Sequence, residues 1–372
     1  MSEINLINEY STRLDDRFKQ KSLTEAHCGH DYSWDGVNSI TVFSLNNMEV
    51  HDYGVNADNN PAATAVLTNR FTNGNAPTDI GDQITTYVLQ QKKSFSGVID
   101  GVTNMDQKNI KKANALLKQT WDEVMVPLID KYRFNTWING AGLSIINAND
   151  LTNTKGANSV VRAILLAQSA LNNKFVPRDG RVCFIKETLS VETKLAEELG
   201  YNANFTGKAI VNGECARMGG LPIVSVPDDW MPAGVNFFIK YKRATADPSK
   251  LKMLRALNQV QGIYGTVLEG LTRYDSFVLA NKANGIIVHA KNGIAVEPTA
   301  TLSSSKIVLA SSGATAIKYT TDGSNPKTSP TAGTYSSPLT VEAGKILRAY
   351  ATKTGSINSS ILTIAESDVK AS

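Results

Sequence analysis

Between Thr103 and Phe134 the chain reads TNMDQKNIKKANALLKQTWDEVMVPLIDKYRF. Its apolar residues Ile110, Ala113, Leu117, Trp121, Val124, Leu128 and Tyr132 recur at steps of three and four, the period of one helical face, and Lys, Gln, Asn and Asp fill the other side. Thr103 followed by Asp106 predicts a capping-box start, in which a hydroxyl and a carboxylate satisfy free N–H groups of the first turn. Pro127 has no N–H to return to the carbonyl of Glu123, which predicts a kink or an end there. From Thr103 to Val126 such a helix runs about 35 Å at its usual rise. That exceeds the ordinary helix of a globular domain.

The rest of the chain is mixed. Ser39–Leu45 (SITVFSL) reads as a strand, and Gln83–Ile99 as a second strand-rich stretch around ITTYVLQ and SFSGVI. Between them lie nearly forty residues punctuated by Asn, Asp, Gly and Pro, a loop length that compact domains seldom carry without a function. Asn158–Lys174 predicts a second amphipathic helix, VPRDGRVCFI a turn and a strand, and Thr188–Leu199 a short helix capped by Thr188 or Ser190. ECARMGGLPIVSVPDDWMP reads as paired strands ending in a turn, Val235–Lys240 as a strand, and Thr266–Ala280 with Ile286–Ala290 as a strand pair turning at Asn284-Gly285. Helices and strands without regular alternation indicate an α+β fold.

Composition changes near Glu297-Pro298. Beyond it the chain is Ser- and Thr-rich, and short strands (KIVLASS, AIKYTTD, GTYSSPLTV, KILRAYATK, SSILTIA) are separated by Gly, Pro and Ser, the pattern of a small immunoglobulin-like β-sandwich.

Chemistry-bearing constellations are scarce. At 372 residues with 42% hydrophobic content the chain has room for two or three domains, and a net charge of +4 from 38 basic and 34 acidic residues argues against a dedicated nucleic-acid binder. Neither a charged-then-apolar leader nor an 18-residue apolar run is visible, so the expectation is a protein made in the cytosol and not held in a membrane. Cys28, Cys183 and Cys215 are too scattered for a disulfide framework. His27-Cys28-Gly29-His30 with His51 is the only grouping resembling metal ligands, and it lacks the spaced pairs that a structural zinc site needs. Cys183 reads as a buried small hydrophobe. No phosphate loop, no positioned carboxylate pair and no nucleophile–base set emerges. The chain reads as a non-enzyme with no catalytic residue, no metal and no cofactor.

Several pieces, taken in order, resemble the major capsid proteins of tailed bacteriophages with the Hong Kong 97 type fold. VPLIDKYRF (Val126–Phe134) resembles the end of that family's spine helix; Asp35-Gly36 before SITVFSL, MEVHDYG (Met48–Gly54), VPRDGRVCFI, GGLPIVSVPDDWMP and GTVLEGLTRYDSFVLANKANGII follow in the family's order. The resemblance implies a capsid-fold domain over 1–297: an N-terminal arm over 1–35, an extended loop over about 48–82, a peripheral domain over about 83–157 and 256–297, and an axial domain over about 158–255. It makes Met48, Tyr53, Arg70, Phe71, Trp121 and Tyr132 candidates for assembly interfaces, and it implies a spine whose apolar stripe is only partly covered by its own chain.

The tail has a likeness of its own. Ile317-Lys318-Tyr319-Thr320-Thr321-Asp322-Gly323-Ser324-Asn325-Pro326, then Tyr335, Pro338, Leu347–Ala351, Gly355 and Ser359, resembles the chitobiase/hexosaminidase C-terminal family. Such a domain over 298–372 is expected to hold its Thr-Asp-Gly-Ser segment as a turn with side-chain-to-backbone bonds. Tyr319, Asp322 and Tyr335 are its candidate glycan contacts, and a structural role for Tyr319 and Asp322 outweighs sugar contact. Together the two likenesses imply a coat protein that forms hexamers and pentamers of an icosahedral head around double-stranded DNA, made in the bacterial host cytoplasm and ending in the virion. Its partners would be itself, a scaffolding protein, a portal, the packaged DNA held non-specifically, and surface glycans. An encapsulin-type compartment and a carbohydrate-binding or glycosidase-associated protein are the alternative readings.

Overall fold

The computed structural model describes residues 21–29, 31, 39–45, 82–106, 111–196, 214–218, 220–258, 260–303, 306–340 and 346–365. Helices α1 (Gly101–Asp106), α2 (Ala113–Thr120), α3 (Val126–Gly140), α4 (Val160–Asn173) and α5 (Glu187–Lys194) combine with several small sheets in the expected α+β arrangement. Among the described residues no helix is long and apolar enough to cross a membrane.

A six-stranded sheet forms the main core, in the order Leu143–Ile146, Ile286–Ala290, Val235–Tyr241, Arg181–Lys186, Leu221–Val226, Glu214–Met218. Its strands obey the two-residue period of a pleated strand, but both faces are apolar. Val182, Phe184, Phe238, Ile286 and Val288 pack against Phe134 and Trp137 of α3 on one face. Cys183, Ile185, Phe237, Ile239 and Ile287 pack against Val160, Ile164, Ala167 and Leu171 of α4 on the other. Ser159 caps α4, accepting a bond from the Arg162 N–H at 3.5 Å. The strand pair expected around Asn284-Gly285 does not form. Gly265–Tyr274 pairs with Ser249–Asn258 and Gln91–Asp100, whereas Ile286–Ala290 pairs with Val235–Tyr241 and Leu143–Ile146. Ala280–Gly285 is instead a 3-10 turn, and the Gly142 N–H donates to the Ala283 carbonyl at 2.9 Å, so the Asn-Gly step closes onto the end of α3.

The three-stranded sheet Ser249–Asn258, Gly265–Tyr274, Gln91–Asp100 packs its Ile99, Leu268 and Leu254 against Leu117 and Ala113 of α2. The spine helix therefore spans two cores, α2 on the small sheet and α3 on the large one. It differs from expectation at both ends. Lys112 has extended backbone (φ −93°, ψ 123°), so Thr103 belongs to the separate α1, where its N–H and hydroxyl both donate to Asp100 (2.8 and 2.7 Å) and Asp106 plays no capping part. Pro127 does not end the helix. Trp121–Met125 forms a π-helical turn in which the Val126 N–H reaches back to the Trp121 carbonyl, and this wider turn absorbs the bond that proline cannot make. The helix continues to Gly140. Thr188 likewise does not cap α5; its N–H and hydroxyl turn to Asp228, each at 3.4 Å.

Ser39–Leu45 and Asp82–Val88 form a separate antiparallel ribbon, in register from Ser39↔Val88 to Leu45↔Asp82. The intervening residues, with Met48, Tyr53, Arg70 and Phe71, lie outside the described residues.

The C-terminal strands make a two-stranded sheet (Thr299–Ser303, Lys306–Ala310) and a four-stranded one (Gly333–Thr334, Ala316–Thr320, Ile346–Thr352, Leu362–Ala365) around Ile307, Leu309, Leu347 and Ala349. This module is fused to the main body. Ile357 pairs with Ile294 and is buried in the same cluster as Phe134 and Trp137, Ile361 packs against that cluster, and the Ile361 N–H donates to the Gly142 carbonyl at 3.1 Å.

Candidate assembly site on the spine helix

The spine presents an inner and an outer face. On the outer face Val124 is 54% and Leu128 39% exposed, although both belong to the apolar stripe of the sequence. Trp121 is half-buried, with the Lys252 ammonium 4.1 Å from the centre of its ring, a cation–π contact that covers one face. Tyr132 is also engaged: its hydroxyl donates to Asp275 at 2.7 Å and its ring meets Tyr274 edge-on at 5.7 Å. Burial, with the bond to Asp275, pushes the Tyr132 hydroxyl up to about 12. The two spine residues expected at an interface thus make contacts within their own chain, and the open apolar surface lies at their neighbours Val124 and Leu128.

The inner face carries two buried charged residues, Asp130 and Arg133, among its apolar ones. Asp130 and Arg133, one turn apart, bind the segment 22–25 that precedes the first strands. Asp130 accepts bonds from the Ser22 hydroxyl (2.8 Å), the Leu23 N–H (2.9 Å) and the Thr24 hydroxyl (2.5 Å), and Arg133 donates to Thr24 (2.9 Å) and pairs with Glu25 (2.8 Å). Burial pushes the Asp130 carboxyl above its ordinary value, against the pull of these donors. One turn further, the Trp137 indole N–H donates to Asp247 at 2.9 Å, and the Lys240 ammonium sits 3.5 Å from the same carboxylate, 3.6 Å from the centre of the Trp137 ring and 2.8 Å from the His27 carbonyl. Asp247 also accepts from the Ser276 and Thr245 hydroxyls and the Gly29 N–H. Burial alone would raise its pKa; Lys240 and the two hydroxyls outweigh it and hold the carboxyl below the ordinary range. Burial lowers the Lys240 pKa. Segment 22–29, the spine and the short paired strands at Thr245–Ala246 and Phe277–Val278 with the flanking Asp247 and Ser276 are locked together by this network.

The far end of the spine carries the C-terminal module. Lys327, whose pKa burial lowers to about 7, donates to the Asn139 carbonyl (3.0 Å) and the Ala141 carbonyl (2.7 Å) at the α3 terminus. Within the module, Asp322 accepts from the Ser324 N–H (2.9 Å) and the Thr331 hydroxyl (2.8 Å), while Gly323 takes a φ of +73°. The Thr-Asp-Gly-Ser segment is therefore a side-chain-closed turn, and Asp322 is occupied by it. Tyr319 and Tyr335 are half-buried against the module core.

The metal grouping does not assemble among the described residues. Cys28 donates to the Thr24 carbonyl at 3.2 Å, and burial pushes its thiol well above the ordinary range; His27 meets Phe184 edge-on at 5.6 Å. His30 and His51 lie outside the described residues.

Residues 307–365 match the family model described as Fn3 associated. No curated protein matches the chain. Among solved structures it is similar to one from Mycobacterium phage Che8 (TM-score 0.59, 16% identity, covering 77% of this chain and 98% of that one). It is similar also to the capsid structure of the cyanophage P-SCSP1u (TM-score 0.56, 12% identity, 76% and 92%) and to the asymmetric unit of the bacteriophage PhiM1 mature capsid (TM-score 0.55, 11% identity, 77% and 92%). The chain has the phage capsid fold. In that capsid fold the rod Ala113–Gly140 is the spine, and the Fn3-associated match gives the C-terminal module its immunoglobulin-like build. Sequence reasoning missed Asp130, Arg133, Lys240 and Asp247. The available signal was Asp130, Arg133 and Trp137 at i, i+3 and i+7, a polar pair on the face that continues into Trp137.

Proposed function

We propose that this chain is the coat subunit of a phage head, self-assembling into hexamers and pentamers of an icosahedral shell around double-stranded DNA. The observation that carries the reading is the capsid likeness over about three quarters of the chain, at TM-scores of 0.55 to 0.59. In this reading the protein works through surfaces and not through a reaction centre, with a scaffolding protein and a portal as assembly partners, and its place is the virion. The net charge of +4 suits an inner wall that holds DNA non-specifically and lets it go. Residues 1–297 form the shell, divided into arm, extended loop, peripheral and axial parts, and 298–372 an outward module. Of the two roles the sequence suggests for that module, glycan adhesion and stabilisation, its docking through Lys327, Ile357 and Ile361 supports the second.

Electron microscopy of the purified full chain, with and without co-expressed scaffold, tests this. Closed shells of uniform size are expected, and nuclease-protected double-stranded DNA in particles from infected cells separates a phage head from an encapsulin-type compartment. A monodisperse monomer under every assembly condition overturns the proposal.

A further inference from the structure

One described residue other than glycine has a positive φ: Phe175, at +56°. Its side chain is also 94% exposed. A bulky aromatic in the left-handed region is strained, and an aromatic in water gains nothing from burial, so the position is unfavourable on both counts in the isolated subunit. The surrounding structure enforces it. Phe175 follows the end of α4, where the Phe175 N–H returns to the Asn172 carbonyl (2.9 Å) and the Val176 N–H to the Leu171 carbonyl (3.1 Å), the closing motif that usually carries glycine. The buried Arg181 fastens the loop from below, donating to the Pro177 carbonyl (2.8 Å), the Val176 carbonyl and the Asn172 side chain (2.9 Å). The result is a rigid aromatic knob, flanked by the exposed Lys174 and Arg178.

A second exposed apolar surface lies elsewhere on the chain. Val191 on α5 (46% exposed) and Leu195 just past its end (61%) stand one turn apart, beside Glu187 and Glu192 and between Lys186 and Lys194. The knob and the apolar pair are both exposed in one chain, so they do not satisfy one another. We infer that Phe175 docks on the Val191–Leu195 face of a second copy of this chain, with Lys174 and Arg178 opposite Glu187 and Glu192. Each copy gives one knob and receives one, so the contact can repeat from copy to copy around the proposed hexamers and pentamers. One side chain with its flanks is far smaller than the patch that a stable dimer needs, so it acts as an anchor inside a many-copy assembly and not as a dimer contact. This rests on the coat-subunit reading and specifies one of its subunit contacts.

The test uses the full chain, with sedimentation velocity and negative-stain microscopy for assembly and urea unfolding for the free subunit. Phe175→Gly relieves the backbone strain, so the free subunit unfolds at the same or higher urea, while the concentration for half-assembly rises roughly tenfold or more. Lys174→Glu with Arg178→Glu has the same effect on assembly, and adding Glu187→Lys with Glu192→Lys brings it back to within about threefold of wild type. Assembly of Phe175→Gly at the wild-type concentration, or a charge reversal that the second reversal does not rescue, overturns the inference alone. A wild-type chain that assembles under no condition overturns the coat-subunit reading and this contact with it.

Discussion

The buried Lys240–Asp247 pair should respond asymmetrically to loss of either partner. Asp247 accepts from four donors besides Lys240, namely Trp137, Ser276, Thr245 and Gly29. Lys240→Met leaves a carboxylate that is still well hydrogen-bonded, at a cost of about 1–3 kcal/mol. Asp247→Ala leaves the ammonium with only the His27 carbonyl and the Trp137 ring, and strands the indole N–H as well. An uncompensated buried charge of that kind costs about 3–5 kcal/mol. The double variant should cost less than the sum by about 1–3 kcal/mol, because the two residues share one network. The assay is urea unfolding of the purified chain at pH 7, read at unchanged slope. Acidity gives a second handle. Asp247 has a depressed pKa in the folded chain, so its contribution is present above the ordinary Asp value and is lost as pH falls through its lower folded value. The acid limb of the Asp247→Ala variant should therefore be flatter than that of wild type. A Lys240→Met cost equal to or above that of Asp247→Ala, or strict additivity, would refute the reasoning.

His289 is stacked on Phe237 at 4.8 Å and held by burial at about 4, down from 6.5, so its contribution is present above pH 6.5 and lost between there and about 4. Wild type should lose up to about 1.4 kcal/mol per pH unit more than His289→Phe in that window, measured by unfolding at several pH values. At Gly142 an added Cβ would sit 2.7 Å from the Ala283 backbone; Gly142→Ala should cost about 1–3 kcal/mol in thermal or urea unfolding, and a neutral result would mean that this joint can shift. Lys327→Met removes both hydrogen bonds to the α3 terminus and should speed limited proteolysis within 298–365 severalfold while leaving circular dichroism unchanged; equal rates would deny the lysine its docking role. Asp322→Ala opens the Ser324–Thr331 turn at a cost of about 1–2 kcal/mol to the module, read from its own unfolding transition or, if there is none, from proteolysis at that loop.

Much of the fold was legible in the sequence because period and punctuation reflect local physics. The strands at 39–45, 181–186, 221–226 and 235–241, the helix over 160–173 and the short strands of the tail all follow from alternation, caps and turn residues. The spine shows where that logic stops. A constant period carries its stripe through Pro127, yet the π turn at 121–125 inserts an extra residue and shifts the buried face by one position, from 124 and 128 to Met125 and Ile129. No window of hydropathy encodes that slip. The buried network was illegible for a related reason: Lys240 and Asp247 are seven residues apart, and only the sheet beneath Trp137 reveals that they share a partner 103 positions before Lys240. The pairing of Ile286–Ala290 was misread because Asn-Gly is a strong local turn signal, and a distant edge, Gly142, captured it.

The fusion of the C-terminal module has a practical consequence. The compositional break at Glu297-Pro298 invites a truncation there, but Ile357 and Ile361 belong to the cluster that holds Phe134 and Trp137. A chain cut at 297 would bring one side of that cluster into contact with water and free the carbonyls at the end of α3, so it would report on the integrity of the main core and not on what the module touches. Removing the module and asking what is lost would confuse the plaster with the wall. The module's outer surface is better probed by exchanging exposed side chains on the strands Thr299–Ser303 and Lys306–Ala310, which leave the shared core closed.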